Sequence, residues 1–268
     1  MLRNRLGFIM IALTLLFLVM RTIRTTATAS AAASNNILVA SPVPHLESVA
    51  AGDYDWLEGG GGVAERTNWS GYAIQTSDDA VSRVHGSWSV PTVTCSGGTE
   101  NSSVWLGIDG YNSNTVEQLG TEQDCRGKTA HYFAWYEMYP AGLVTLSLPV
   151  HGGDQIQANI QYIGNNQFAL ELTNLSTGDT FLTTQPSSSA QRSSAEWIVE
   201  GPGMLPLADF GTALFANSQA TISGTTGTIS SFSKYTSVNM VALTGAVKTQ
   251  TFGLSKGGAN FTVVWYRP

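Results

Sequence analysis

Charge is the first thing this chain lacks. Only 12% of its 268 residues are Asp, Glu, Lys or Arg, about half the ~25% usual in soluble domains. With 43% apolar residues, that shortfall excludes a disordered, charge-rich chain. Lysine is scarcest: Lys128, Lys234, Lys248 and Lys256 are all there are. Four of the 13 basic residues (Arg3, Arg5, Arg21, Arg24) precede residue 25, so nine remain against 19 acids and the rest of the chain carries −10. A body without clustered Lys and Arg excludes a nucleic-acid partner, because binding there displaces counterions with grouped basic side chains. It suits work in acid, where protonated carboxyls no longer repel one another.

Common catalytic signatures are also missing. No Gly-x-Ser-x-Gly elbow, His-Glu-x-x-His pair, phosphate loop or Gly-x-Gly-x-x-Gly loop is present. No Asp-Thr-Gly or Asp-Ser-Gly pair exists, which argues against a pepsin-like dyad. His45 falls in the N-terminal segment, and His85, His131 and His151 are scattered, reading as surface or packing residues. Cys95 and Cys125 are the only cysteines. After export they can form one disulfide; two buried free thiols are the alternative. Without nearby His they make no zinc site, and no metal or cofactor is expected. Carboxylates and carboxamides remain as the reactive side chains.

What is present begins with an export signal. Arg3 and Arg5 precede Leu6 to Met20, 15 residues with no charge, short of the ~20 that span a bilayer. The small-residue stretch Ala27 to Ala33 follows, with Ala29-Ser30-Ala31 and Ala31-Ala32-Ala33 as cleavage frames. Residues 1–33 therefore read as a signal peptide, with an uncleaved anchor as the alternative. The product is expected to be secreted, with no membrane contact after cleavage. Residues 34–64 read as a propeptide or flexible linker, ending in Gly59-Gly60-Gly61-Gly62. They hold four acids (Glu47, Asp53, Asp55, Glu58) and no Lys or Arg.

Residues 65–268 read as one all-β domain. Segments rich in Thr, Val, Tyr and Trp recur at Ser82–Val90, Val104–Asp109, Tyr132–Tyr139, Gln155–Tyr162, Phe168–Leu172, Glu196–Glu200 and Asn260–Tyr266. Turn residues separate them, as at Gly164-Asn165-Asn166. No long amphipathic helix is evident, so the pattern predicts an antiparallel sandwich or barrel. Period two sorts the faces. Val104, Leu106 and Ile108 share a core face, leaving Trp105, Gly107 and Asp109 on the other. Phe133, Trp135, Glu137 and Tyr139 share one side, and Glu196, Ile198 and Glu200 face away from Ala195, Trp197 and Val199. Three strands presenting acids among aromatics predict an apolar cleft holding carboxyls, where burial raises their pKa.

A paired-carboxylate glycosidase needs its acids about 5–5.5 or 6.5–9.5 Å apart. Glu196 and Glu200 lie about 13 Å apart along one strand at ~3.3 Å per residue, so they do not form that pair; a pair across strands stays open.

The motifs Asn68-Trp69-Ser70-Gly71-Tyr72-Ala73, Trp105-Leu106-Gly107-Ile108-Asp109-Gly110, Glu117-Gln118-Leu119-Gly120, Ala134-Trp135-Tyr136-Glu137-Met138-Tyr139-Pro140, Gly153-Asp154, Leu172 to Gly178 and Ala195-Glu196-Trp197-Ile198-Val199-Glu200 occur in that order. Together, over roughly residues 67–268, they resemble the glutamic peptidases, or eqolisins, of peptidase family G1. The chain looks like a bacterial-like or divergent member. The resemblance implies a concanavalin A-like, jelly-roll-like sandwich of two bent antiparallel sheets. It implies a secreted, pepstatin-insensitive acid endopeptidase, a monomer acting on protein or peptide substrates. It places the catalytic pair at Gln118, just before a Gly-containing turn, and at Glu200 rather than Glu196. Trp69, Trp105, Asp109 and Glu137 would line the cleft, either binding substrate or supporting the pair, with Asp109 and Glu137 tuning it by charge and hydrogen bonding. Without the resemblance, Gln118 reads as an exposed turn residue and Glu200 as a surface acid on an edge strand. Glu117 stands where fungal relatives tend to be apolar, and alternation turns it away from the cleft. The competing readings are an inactive sandwich that binds carbohydrate or peptide through Trp69, Trp105 and Trp135, and a glycoside hydrolase. Four Asn-x-Ser/Thr sites (Asn68, Asn101, Asn174, Asn260) matter only in a glycosylating host, and Asn68 is expected too close to the cleft to be a good acceptor.

Overall fold

The computed structural model describes residues 61–255 and 257–268. The expected signal peptide and all but the end of the expected linker lie outside the described residues. Sixteen strands follow one another: β1 (Gly62–Arg66), β2 (Trp69–Gln75), β3 (Val81–Ser89), β4 (Thr99–Ile108), β5 (Val116–Arg126), β6 (Thr129–Tyr139), β7 (Val144–Thr145), β8 (Gln155–Gly164), β9 (Gln167–Asn174), β10 (Thr180–Pro186), β11 (Ser194–Glu200), β12 (Thr212–Ile222), β13 (Thr225–Thr228), β14 (Tyr235–Val241), β15 (Val247–Thr251) and β16 (Phe261–Trp265). No helix among the described residues is long and apolar enough to cross a membrane.

The strands form one hydrogen-bonded path, β10-β9-β8-β3-β12-β16-β15-β14-β2-β11-β4-β5-β6-β7. The path folds over on itself. β3 packs on β4 and β11, and β8 and β9 pack on β5. The two layers of the sandwich are thus continuous through β16 and β15. Nearly all pairings are antiparallel; β1 runs parallel to β14. Gly62 to Ala64, inside the segment expected as linker, already belong to that strand.

Local chemistry explains the elements. The β8–β9 hairpin turns on Asn165 and Asn166, both at positive φ (51° and 57°), the type I′ geometry that matches strand twist and that Asn tolerates. Between the layers, Trp88, Leu106, Leu119, Phe168, Trp197 and Phe215 are all buried. Their polar atoms are satisfied: Trp88 Nε1 donates to Thr121 Oγ1 at 3.0 Å and Trp197 Nε1 to the His85 carbonyl at 2.9 Å. Cys95 and Cys125 are joined, with Cα atoms 5.4 Å apart, tying the loop after β3 to the end of β5.

The seven strands read from alternation all exist, with ends moved by a few residues. The largest difference is β5. Its core face carries Glu117, Leu119, Thr121, Gln123 and Cys125, and its other face Gln118, Gly120, Glu122 and Asp124. Polar residues on both faces erase the period-two signal, yet almost the whole strand is buried. Gly120 therefore does not mark a turn. It lies mid-strand against Trp105, where an added Cβ would stand 2.4 Å from the Val104 carbonyl oxygen and 2.6 Å from Trp105 Cβ.

Candidate active site

The outer face of the β2-β11-β4-β5-β6 layer carries a second apolar cluster, including Trp69, Trp105, Trp135, Ile198 and Val238. Register arranges this face in rows. Glu196, Gly107, Gln118 and Glu137 form one row; Ile198, Trp105, Gly120 and Trp135 the next; Glu200, Ser103, Glu122 and Phe133 the third. Gln118 and Glu200 therefore stand on either side of Trp105. Two glycines make room for that indole. Gly120 takes its Cα and Cβ, and a Cβ at Gly107 would meet Trp105 Cζ3 at 3.1 Å and Gln118 Cβ at 3.3 Å.

Glu200 is 3% exposed. Trp105 Nε1 donates to its Oε2 at 2.9 Å, and Asn68 Nδ2 donates to its Oε1 at 3.2 Å. Both partners are donors, as an acceptor-only carboxylate requires. Trp69 meets Trp105 edge-on, centroids 5.1 Å apart, which fixes the indole that makes the shorter bond. Gln118 is 4% exposed, and its Nε2 donates to Glu137 Oε2 at 2.6 Å. That bond sets which end of the amide is nitrogen. It leaves one N–H on Nε2, and the buried Oε1 has no hydrogen-bond partner among the described residues. Trp135 Nε1 donates to Ser103 Oγ at 3.2 Å, filling the floor beside Glu200.

Asp109 sits elsewhere in this arrangement. It leaves β4 at φ 67°, which breaks the alternation that would carry it onward along the cleft face. Its Oδ2 accepts from Arg192 N at 2.7 Å, and its Oδ1 from Ser193 N at 2.8 Å and Ser193 Oγ at 3.0 Å. It buckles the entry to β11.

Around Asp109 the fold gathers Glu196 and Glu117. Burial, then the nearby Asp109, pushes Glu117 up to about 8, although Ser187 Oγ donates to it at 2.8 Å. Burial likewise raises Glu196 well above the ordinary carboxyl range, with Ser194 Oγ on its Oε1 at 2.8 Å opposing the shift and Asp109 adding to it. Beside Glu200, burial raises Glu122, and the adjacent Asp124 and Glu200 push the same way. Asp124 is raised by burial too, with Glu122, Arg126 and His131 opposing. Glu122 Oε2 and Asp124 Oδ1 have no hydrogen-bond donor among the described residues, so one shared proton is what their contact needs. Among the described residues no three His, Cys, Asp or Glu side chains are grouped to hold a metal ion.

The arrangement offers a carboxylate fixed by two N–H groups, a carboxamide fixed by a carboxylate, and an aromatic floor between them. Asn68 opens the first of the ordered motifs and was expected close to the cleft, but its bond to Glu200 was not foreseen.

Comparison with known proteins fits this picture. The profile of the Peptidase A4 family matches residues 67–263. Aspergillopepsin-2 from Aspergillus niger is 28% identical over 188 residues, spanning 60% of this chain and 66% of that protein's length. The aspergilloglutamic peptidase of Aspergillus niger superposes with a TM-score of 0.55 at 28% identity, covering 62% of this chain and 99% of that one. The scytalido-glutamic peptidase solved with a transition state analog inhibitor gives 0.64 at 23% identity, covering 75% and 98%, a likeness of fold. The chain belongs to the Peptidase A4 family, whose members are peptide hydrolases.

Proposed function

We propose that the protein is a secreted acid endopeptidase that hydrolyses peptide bonds with Glu200 and Gln118 and is insensitive to pepstatin. The observation that carries this reading is the pair of buried side chains flanking Trp105, each oriented by a neighbour of its own. A peptide carbonyl brought up to this face would lie between the two side chains. Glu200 takes a proton from a water whose oxygen adds to the carbonyl carbon. The second N–H of Gln118 donates to the oxyanion as it forms. Glu200 then gives its proton to the amide nitrogen, the C–N bond breaks, and acid and amine leave. Glu137 keeps the Gln118 amide aimed, and Trp69 holds Trp105. Asp109 acts from behind, by fixing the entry to β11.

An acid working range agrees with the surroundings. Glu117, Glu122 and Glu196 are buried groups most easily kept neutral at low pH. Residues 1–33 would direct export and 34–60 would precede the mature domain. The test is cleavage of casein or haemoglobin from pH 2 to 7, with pepstatin present, by wild type and by Glu200→Gln. The reading expects cleavage in the acid range by wild type alone. Equal cleavage by both would remove Glu200 from the mechanism.

A further inference from the structure

Asn68 opens the tripeptide Asn68-Trp69-Ser70, which reads in sequence as a glycan acceptor. The fold gives it another task. Trp69 is the ladder partner of Glu200, and the Asn68 carbonyl accepts from the N–H of Gly201 at 2.9 Å. The backbone of Asn68 is thereby fastened to the residue that follows Glu200. From there its Nδ2 meets Glu200 Oε1 at 3.2 Å, while Trp105 Nε1 holds Oε2 from the other side.

Building on the reading of Glu200 as the base, we propose that Asn68 is a positioning residue that, with Trp105, clamps the Glu200 carboxylate and favours its charged form. One donor on each oxygen fixes the plane of the group. The side-chain N–H stabilises the anion and not the neutral acid, which makes its loss visible as a change in pH dependence. The groups facing Glu200 are few in kind. Across Ser103 on β4 it faces Glu122 of β5, held protonated in acid by burial, with Asp124, Arg126 and His131 beyond. Trp69 of β2 and Trp105 of β4 bring no charge.

The test purifies Asn68→Ala and Asn68→Asp beside wild type and Glu200→Gln, checks folding by circular dichroism, and records kcat and KM on denatured haemoglobin from pH 2 to 7. Asn68→Ala should lower kcat about 10-fold, as expected for one hydrogen bond to a charged group, with KM within about 2-fold. The acid limb of kcat/KM should move up. Asn68→Asp keeps the size but sets a carboxylate against a carboxylate, and should be slower still. Wild-type kcat and limb in Asn68→Ala overturn the proposal. So does equal loss in both variants with an unmoved limb, or failure of both to fold, since Asn68 would then hold the strand end and not the carboxylate. Inactive Glu200→Gln beside wild-type-like Asn68→Ala removes this inference alone. Active Glu200→Gln removes the dyad and this inference together.

Discussion

Glu196 and Glu200 lie four residues apart on β11, point to the same face and are both almost fully buried. Their surroundings differ. Glu200 receives an N–H on each oxygen, from Trp105 and Asn68. Glu196 receives a hydroxyl on Oε1 from Ser194 and a lesser backbone hydrogen bond from Tyr111, and burial outweighs both. The nearby Asp109 pushes it the same way as burial. Burial alone therefore does not make a catalytic acid. Two side-chain N–H groups hold the Glu200 carboxyl in place, while at Glu196 burial and the nearby Asp109 favour the neutral acid over what its donors offer.

The contrast breaks most sharply at Glu200. Glu200→Gln should lower kcat about 10³-fold, the loss of a general acid-base group, with the fold intact by circular dichroism. Next comes Gln118→Leu, which removes the oxyanion donor and should cost about 10²–10³ in kcat, read from a kcat and KM determination in which KM moves far less. It also leaves Glu137 without its amide partner.

Stability sharpens the comparison from the other side. A carboxyl whose folded pKa lies above its unfolded value contributes stability below the unfolded pKa and loses it as pH rises through the folded one. For Glu117 that window runs from the ordinary 4.5 to about 8, and the raised Glu196 acts in the same direction. The melting temperature should fall steadily as pH rises across this range. Glu196→Gln should flatten the fall and raise the melting temperature at pH 7. A melting curve independent of pH between 4.5 and 8 would sink this account of the cluster. The smallest expected effect is that of Asp109→Asn. It keeps two acceptors on one oxygen for the β11 entry, and should lower kcat by less than about 10-fold while lowering stability by ~1 kcal/mol, measured by denaturant melts.

The sandwich was legible because its core strands alternate. Val104, Leu106 and Ile108 against Trp105, Gly107 and Asp109 sort two faces from sequence alone, and β11 does the same. β5 was not legible as a strand, since a segment with acids and amides on both faces gives no period to read. Gly120 read as a turn because the reason for a glycine there is a Trp105 side chain from another strand. The order of the motifs pointed to Gln118 and Glu200, yet what holds each of them, Glu137, Trp105 and Asn68, is set by cross-strand register. Asp109 read as a cleft or supporting residue; nothing in the sequence signals the positive φ that turns it toward Arg192 and Ser193. Glu196 on the cleft face and Glu117 turned to the opposite face were each legible from alternation, but that both lie near Asp109 is set by the fold.

The most direct measurement is kcat for Glu200→Gln and Glu196→Gln side by side in one acid assay, at a pH where both melt well above the assay temperature. The account predicts a loss of about 10³-fold for Glu200→Gln and a rate within about 3-fold of wild type for Glu196→Gln, whose carboxyl is already neutral there. An inactive Glu196→Gln beside an active Glu200→Gln would contradict it.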